Sequence, residues 1–355
     1  MENINEILEG VTEPPDSFEQ YLVSYAEKVG GLINAYIPRG THPDMNRYLY
    51  DPLLSYSANG GKRHRPLISF AACIAVGGDV RRALSAAAAI EHFHTAALIH
   101  DDIADEAELR RGEPCLHLSE GLGLAINMGD LALSLVNGTV VNDDLLDDST
   151  KVRVITELTD MTRRTIEGQA LDIGWARDER YDITPEDYLV MATHKTAHYS
   201  GAVPLAVGAI VGGGSEEEIE ALRSYGLDTG LAFQIQDDLL NLIGAEESTK
   251  KDFRNDITEG KRTLAVVWAL EHLDDEPHRE LVDLLESKTT NPDELARAVE
   301  LIEQGGGIEA CRDLALKLTR DAQGKARALA TSGTITPESA ELLCSMADFF
   351  INRSA

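Results

Sequence analysis

Two acidic clusters lie inside apolar, helix-patterned stretches of this chain. The first reads Leu98-Ile99-His100-Asp101-Asp102-Ile103-Ala104-Asp105 and the second Phe233-Gln234-Ile235-Gln236-Asp237-Asp238-Leu239-Leu240-Asn241. Carboxylates in such surroundings are costly to desolvate unless something pairs with them. On a helix, Asp101 and Asp105 share one face, as do Asp237 and Asn241, with Gln234 a turn earlier. Two such helices facing each other would converge several carboxylates on one cavity. That donor set suits Mg²⁺, which takes one or two carboxylates plus phosphate oxygens. The chemistry expected is a diphosphate held through metal.

Basic residues cluster around these acids in an otherwise acidic protein. Gly60-Gly61-Lys62-Arg63-His64-Arg65-Pro66 is a glycine-framed basic loop, and glycine lets backbone approach a ligand closely. It reads either as a second diphosphate site that needs no metal or as a basic turn paired with surface acids. Arg110 and Arg111 follow the first acidic cluster, and guanidinium forks bind phosphate oxygens in pairs. His94 lies seven positions before Asp101 on the same helical face, where it could reach a phosphate or simply pack in the core. Lys195-Thr196, Lys250-Lys251 and Glu259-Gly260-Lys261-Arg262-Thr263 are further basic points, each ordinary alone. Asp172, after Gly168-Gln169, is one more acid in an apolar helix.

The elements that must position these groups are helices. Apolar residues recur at helical spacing with little strand alternation. Residues 1–16 read as a ragged tail ending near Pro14-Pro15, and Ser17 is a candidate N-cap for a helix from Phe18 towards Ile33. Breaks are expected at Pro38 to Pro43, at Asn59-Gly60-Gly61 and at Gly77-Gly78, the last splitting Leu67 to His100 into two helices. Further helices are expected over Ala125 to Val141, Thr150 to Ile173, Pro185 to Val211 and Glu216 to Ile243, then a polar loop to Gly260 and helices from Thr263 onward, broken at Gly305 and Gly333. One all-helical domain over 17–355 is the simplest organisation, with a separable helical pair after about Asp274 as the alternative.

Bulk properties narrow the partners. The chain has 355 residues, enough for a large core, and a net charge of -29, which argues against binding nucleic acid. Aromatic residues make up 5% while alanine and leucine abound, a composition that favours helix. The four cysteines are scattered without a CxxC pair, as in a reduced cytoplasmic protein. The N-terminus shows no apolar signal region. The apolar stretch near Gly201 to Gly214 is too short to span a bilayer, so no transmembrane segment is expected.

Taken together and in order — basic glycine loop, acidic cluster, arginine pair, second acidic cluster, trailing lysines — the stretch from Ser57 to Leu264 resembles the trans-isoprenyl diphosphate synthases, or polyprenyl synthetases. The resemblance implies an all-α, single-domain bundle around a deep central cavity (the isoprenoid synthase type) and a homodimer in the cytoplasm. It implies an enzyme that condenses isopentenyl diphosphate with an allylic diphosphate into a longer all-trans prenyl diphosphate. Asp101, Asp105 and Asp237 would bind Mg²⁺, on the order of three ions per active site, supported by Asp102, Asp238, Gln169 and Asp172. Arg110, Lys195, Thr196, Gln234, Lys251 and Lys261 would hold the allylic diphosphate, and Lys62, Arg65, His94 and Arg111 the isopentenyl diphosphate.

The chain departs from the family pattern at Asn241, where a third aspartate is common. Asn keeps an oxygen ligand but loses a charge, so weaker metal affinity at most is expected. Thr249 is a second departure, since glycine often precedes the Lys250-Lys251 position. Product length is set below the first cluster. Ala96 and Ala97 are small enough to pass a fifteen-carbon chain, and Phe93, about one turn deeper, could form a floor. The expected product is geranylgeranyl diphosphate, with twenty carbons, or a longer polyprenyl chain if Phe93 turns aside. A class I terpene cyclase or a non-catalytic partner subunit are the competing readings. The basic loop and the Arg110-Arg111 pair count against the first, and the intact Asp101, Asp105 and Asp237 against the second.

Overall fold

A computed structural model describes residues 4–13, 17–244 and 254–352. Secondary structure follows the expected punctuation closely. Ser17 has extended backbone and its side chain accepts from the N–H of Gln20 at 3.3 Å, which starts α2 (Phe18–Asn34). Ahead of it, α1 (Ile4–Thr12) buries Ile7, Leu8 and Val11. The expectation of a ragged tail is corrected for these residues: their apolar positions repeat at helical spacing and have a surface to cover. A short helix, α3 (Pro43–Met45), runs on through a π-helical turn at Asn46–Tyr50 into α4 (Asp51–Ala58). After the basic loop come α5 (His64–Ala75), a 3₁₀ turn at Val80–Ala83 and α6 (Leu84–Ala104). A two-residue antiparallel hairpin, Leu109–Arg110 with Glu113–Pro114, follows α6; it was not foreseen, because so short a pairing leaves no alternation to read.

Helices α7 (Leu122–Val141) and α8 (Asp148–Arg177) come next. The segment expected as one helix from Pro185 to Val211 is three pieces: α9 (Pro185–Ala192), a π-helical stretch at Thr193–Ala202 and α10 (Val203–Gly212). Then α11 (Glu216–Ile243) carries the second acidic cluster. Inside the expected polar loop, Asn255–Thr258 forms one helical turn. Helices at Leu264–His272, Asp275–Glu286, Pro292–Gln304, Gly307–Thr331 and Pro337–Asn352 complete the described chain.

By its contacts the chain divides into two compact units: residues 1–162, 203–223 and 327–345, and residues 163–202, 224–326 and 346–355. In the first, α6 packs along α7, and Leu53, Ala96, Ile99, Ala125, Met128 and Ala132 form an apolar cluster. α6 is buried on nearly every side, so it can carry alanine and still be stabilised by packing. In the second unit, Tyr188, Met191, Ile235, Leu239 and Leu242 pack with Leu264, Leu281 and Leu301. The stretch His117–Val141 is long and apolar enough to cross a membrane by composition, yet its Ala125, Met128 and Ala132 are used against α6.

Candidate active site

The first acidic cluster occupies the last turn of α6. The helix ends in a Schellman motif: Glu106 is left-handed (φ 51), the N–H of Ala107 reaches the Asp102 carbonyl at 3.0 Å and that of Glu106 the Ile103 carbonyl at 3.4 Å. Adjacent residues on a helix point about 100° apart, and the cluster divides accordingly. Asp102 is buried and its carboxylate is held on both oxygens. Tyr56 Oη donates to Oδ2 at 2.7 Å, and Arg110 donates to Oδ1 through Nε at 2.8 Å and Nη2 at 2.5 Å. Asp101 is half-buried and Asp105 exposed, four residues apart on another face. These are hard oxygen donors with surface, which fits an Mg²⁺ site. His100 crosses to α7, where it lies over Gly129 with Nε2 3.7 Å from Asp130 Oδ1.

The basic loop leads into α5 in the same unit. Its backbone is left-handed at Gly60 (φ 70) and Arg63 (φ 47) and has φ 102 at Gly61. A side chain at Gly61 would collide with the Arg111 guanidinium, 2.9 Å from the ideal Cβ position. Arg111 Nη1 donates to the carbonyls of Asn59 at 2.8 Å and Gly60 at 3.1 Å, tying the arginine pair to the loop. Arg63 is buried and paired with Glu91 on α6, and it also donates to the Ser57 carbonyl. Removing one partner of such a buried pair costs roughly 3–5 kcal/mol, so Arg63 anchors the loop and is not a free cation. Lys62 is exposed, whereas Arg65 is buried on the first turn of α5. His94 keeps some surface but is densely surrounded. Burial first, then the fields of Arg65, His64, Arg111 and Arg63, hold its pKa well below the ordinary value. Arg65, His94 and Arg111, three of the four residues expected to bind isopentenyl diphosphate, therefore form one neighbourhood. A cavity of about 490 Å³ beside it is lined by Tyr56, Asn59, Arg110, Arg111 and Leu116.

The second unit holds the second cluster. Asp238 is buried; Tyr188 Oη donates to its Oδ2 at 2.7 Å and Gln234 Nε2 to its Oδ1 at 2.7 Å. Thr196 Oγ1 in turn donates to Gln234 Oε1 at 2.5 Å. Burial, then the neighbouring Asp256, push the Asp238 carboxyl up to about 8, against the two hydrogen bonds. Asp237, one position earlier, is half-buried. Asn241 Oδ1 accepts the N–H of Asp256 at 3.2 Å and its carbonyl accepts that of Arg254 at 2.8 Å. The residue that departs from the expected aspartate thus holds the returning backbone.

Lys195 Nζ is paired with Asp172, in the same unit. Gly168 allows this: an ideal Cβ there would lie 2.2 Å from the Lys195 nitrogen, so only glycine lets the π-helical stretch lie against α8. Burial raises the Asp172 pKa, but Lys195 and Lys261 outweigh it and keep the group low. Lys261 lies 2.5 Å from Glu259 Oε2 and 3.5 Å from Asp256 Oδ1, carried by a turn with Gly260 at φ 66. Arg262 beside it is buried, stacked 4.1 Å from the Tyr181 ring, and donates to the carbonyls of Arg180 and Gly260. Gln169 is half-buried on α8. Lys250 and Lys251 lie outside the described residues.

Below the first cluster, Phe93 and Ala97 precede Asp101 by eight and four residues on one face of α6, Phe93 buried and Ala97 half-buried. Ala96 instead belongs to the apolar cluster with α7. Sequence reading missed Tyr56, Tyr188, Glu91 and Asp256, and took Glu259 only as the start of the lysine segment. Tyr56, Asp256 and Glu259 sit near motifs, but nothing local signals which acid either tyrosine meets.

The polyprenyl synthetase family profile matches residues 46–302. A short chain isoprenyl diphosphate synthase of Methanothermobacter thermautotrophicus is 41% identical over 295 residues, covering 83% of this chain and 87% of that protein. A geranylfarnesyl diphosphate synthase of Natronomonas pharaonis is 34% identical over 325 residues, 87% of this chain and 89% of its own. The crystal structure of a geranylgeranyl pyrophosphate synthetase from Pyrococcus horikoshii superposes with a TM-score of 0.82 at 30% identity, covering 98% of this chain and 99% of that one.

Proposed function

This chain belongs to the polyprenyl synthetase family, with the all-α isoprenoid synthase fold and prenyltransferase activity, and from that premise we propose that it condenses isopentenyl diphosphate with an allylic diphosphate to make geranylgeranyl diphosphate. The observation that carries the reading is the end of α6, where Asp102 is taken up by Tyr56 and Arg110 while Asp101 and Asp105 occupy another face. Asp101, Asp105 and Asp237 are the metal ligands in this reading. Bound Mg²⁺ supplies positive charge to the departing diphosphate.

The chain's own residues do the rest. Lys195, Thr196, Gln234 and Lys261, with Arg110, bind the allylic diphosphate and stabilise the charge that builds on it. Lys62, Arg65, His94 and Arg111 hold isopentenyl diphosphate through its phosphates. A neutral His94 suits this role as a hydrogen-bond donor that adds no repulsion to its arginine neighbours. The allylic C–O bond breaks with its electron pair leaving on the diphosphate. The isopentenyl double bond, held close and aligned, supplies the pair that forms the new C–C bond. The proton lost from the resulting cation passes to the released diphosphate. Apolar walls keep water from the cation.

Product length rests on Phe93 and Ala97 along the Asp101 face. The similarity to the Natronomonas geranylfarnesyl diphosphate synthase favours a twenty-five-carbon product as the second reading. The four cysteines are buried thiols outside any disulfide, which suits a reducing cytoplasm. The exposed Leu118, Leu122, Ile126 and Leu145 suit a homodimer. The direct test incubates the protein with Mg²⁺, isopentenyl diphosphate and farnesyl diphosphate and resolves the dephosphorylated products by length. A twenty-carbon alcohol is expected, and Asp101→Ala should abolish it. A fully active Asp101→Ala would overturn the metal assignment, and cyclised or untouched substrate would overturn the synthase reading.

A further inference from the structure

Both acidic clusters carry the same supporting device. Tyr56 Oη donates to Asp102 Oδ2 at 2.7 Å, and Tyr188 Oη donates to Asp238 Oδ2 at 2.7 Å. In each case the acceptor is the second carboxylate of an Asp-Asp pair and is buried, while the first keeps surface. The donors come from far along the chain, 46 and 50 residues before their acceptors. The other oxygen is held differently in the two units, by Arg110 for Asp102 and by Gln234 for Asp238. The tyrosine is the shared part.

We propose that Tyr56 and Tyr188 are positioning residues for metal binding, each locking the second carboxylate of its cluster inward so that only the first is presented to the ion. The proposal rests on the reading that Asp101, Asp105 and Asp237 hold Mg²⁺. An aspartate side chain has rotamer freedom, and an unheld neighbour could swing out and compete for the ion. A phenol hydroxyl satisfies a carboxyl oxygen with an O–H···O bond of this length. Packing needs only the ring, so phenylalanine would serve as well if the hydroxyl had no further role.

The test uses the full chain and reads initial rate against Mg²⁺ at saturating isopentenyl and allylic diphosphates. Tyr56→Phe and Tyr188→Phe should each raise half-saturating Mg²⁺ by about tenfold, with a smaller change in kcat at saturating metal. In the Asp102→Ala background Tyr56→Phe should add nothing, and likewise Tyr188→Phe with Asp238→Ala, because each tyrosine acts through that carboxyl group. An unchanged half-saturation, or an equal rise in the Ala backgrounds, overturns the proposal. Tyr188 is fully buried, so Asp238→Asn gives a second probe should its Phe variant not fold. It should move half-saturating Mg²⁺ far less than Asp237→Asn does, and an equal effect overturns the proposal. Asp101→Asn and Asp237→Asn also separate the two failures. If they leave the metal dependence unchanged, the metal reading fails. If they shift it and the tyrosine variants do not, only the positioning role fails.

Discussion

Single residues near the site are governed by burial and by what partner each polar atom finds. Lys195 and Lys261 are each paired with acids, so their ammonium groups stay placed without ligand. His92, two residues before His94 and so about 200° around α6, is buried, and burial pushes its imidazole down to about 4. In the unfolded chain a histidine titrates near 6.5. Below that pH the unfolded state takes up a proton that the folded state refuses until about 4. The group's contribution to stability is therefore intact above pH 6.5 and is lost as pH falls towards 4. Chemical denaturation at pH 7 and pH 5 should show a loss of about 2 kcal/mol from this group alone. His92→Leu should flatten the profile over that window. A variant as acid-sensitive as the parent would show that other groups control it.

Among the elements, α6 does most to set the site. Its end delivers the acids, its α7-facing side carries Ala96 and His100, and its Asp101 face carries Ala97 and Phe93. Because a helix rises about 1.5 Å per residue, Phe93 lies about 12 Å below Asp101. That is the depth at which a growing chain would meet a bulky ring. Phe93→Ala should shift the products longer by at least one isoprene step, read by chromatography of the dephosphorylated alcohols. An unchanged product would place the floor on another element. The π-helical stretch at Thr193–Ala202 is the other element tied to function, since its wide turn sets Lys195 on Asp172 and Thr196 on Gln234. Apolar spacing reads it as continuous helix, because Ser200 to Val211 is buried throughout and leaves no face whose phase could report the wider turn.

At the scale of the whole molecule, a net charge of -29 means that acidic side chains far outnumber their cationic partners. Like charges across the surface repel and weaken the compact state. Salt shortens the Debye length from about 10 Å at 0.1 M to about 3 Å at 1 M. The thermal midpoint should therefore climb by several degrees as KCl rises from 0.05 M to about 1 M and then level off. A midpoint that is flat or falls with salt would show that exposed ion pairs such as Arg297–Glu280 outweigh the repulsion.

Much of this protein could be read from residue order. Helices, their caps and glycine breaks are signalled within a few residues, and so is the four-residue spacing that puts Asp101 and Asp105 on one face. The resemblance at the basic loop and the acidic clusters named the family before any coordinates. Partner identities had no such signal. Which aspartate of each pair turns inward depends on Tyr56 and Tyr188, each dozens of residues away. Whether a lysine is paired depends on Asp172 for Lys195 and on Asp256 and Glu259 for Lys261. The same holds for Asn241, whose oxygen is used by the Asp256 backbone, and for Ala96, which packs on α7. Local conformation follows from neighbours along the chain, whereas desolvation and hydrogen bonding are settled by whatever folding brings alongside.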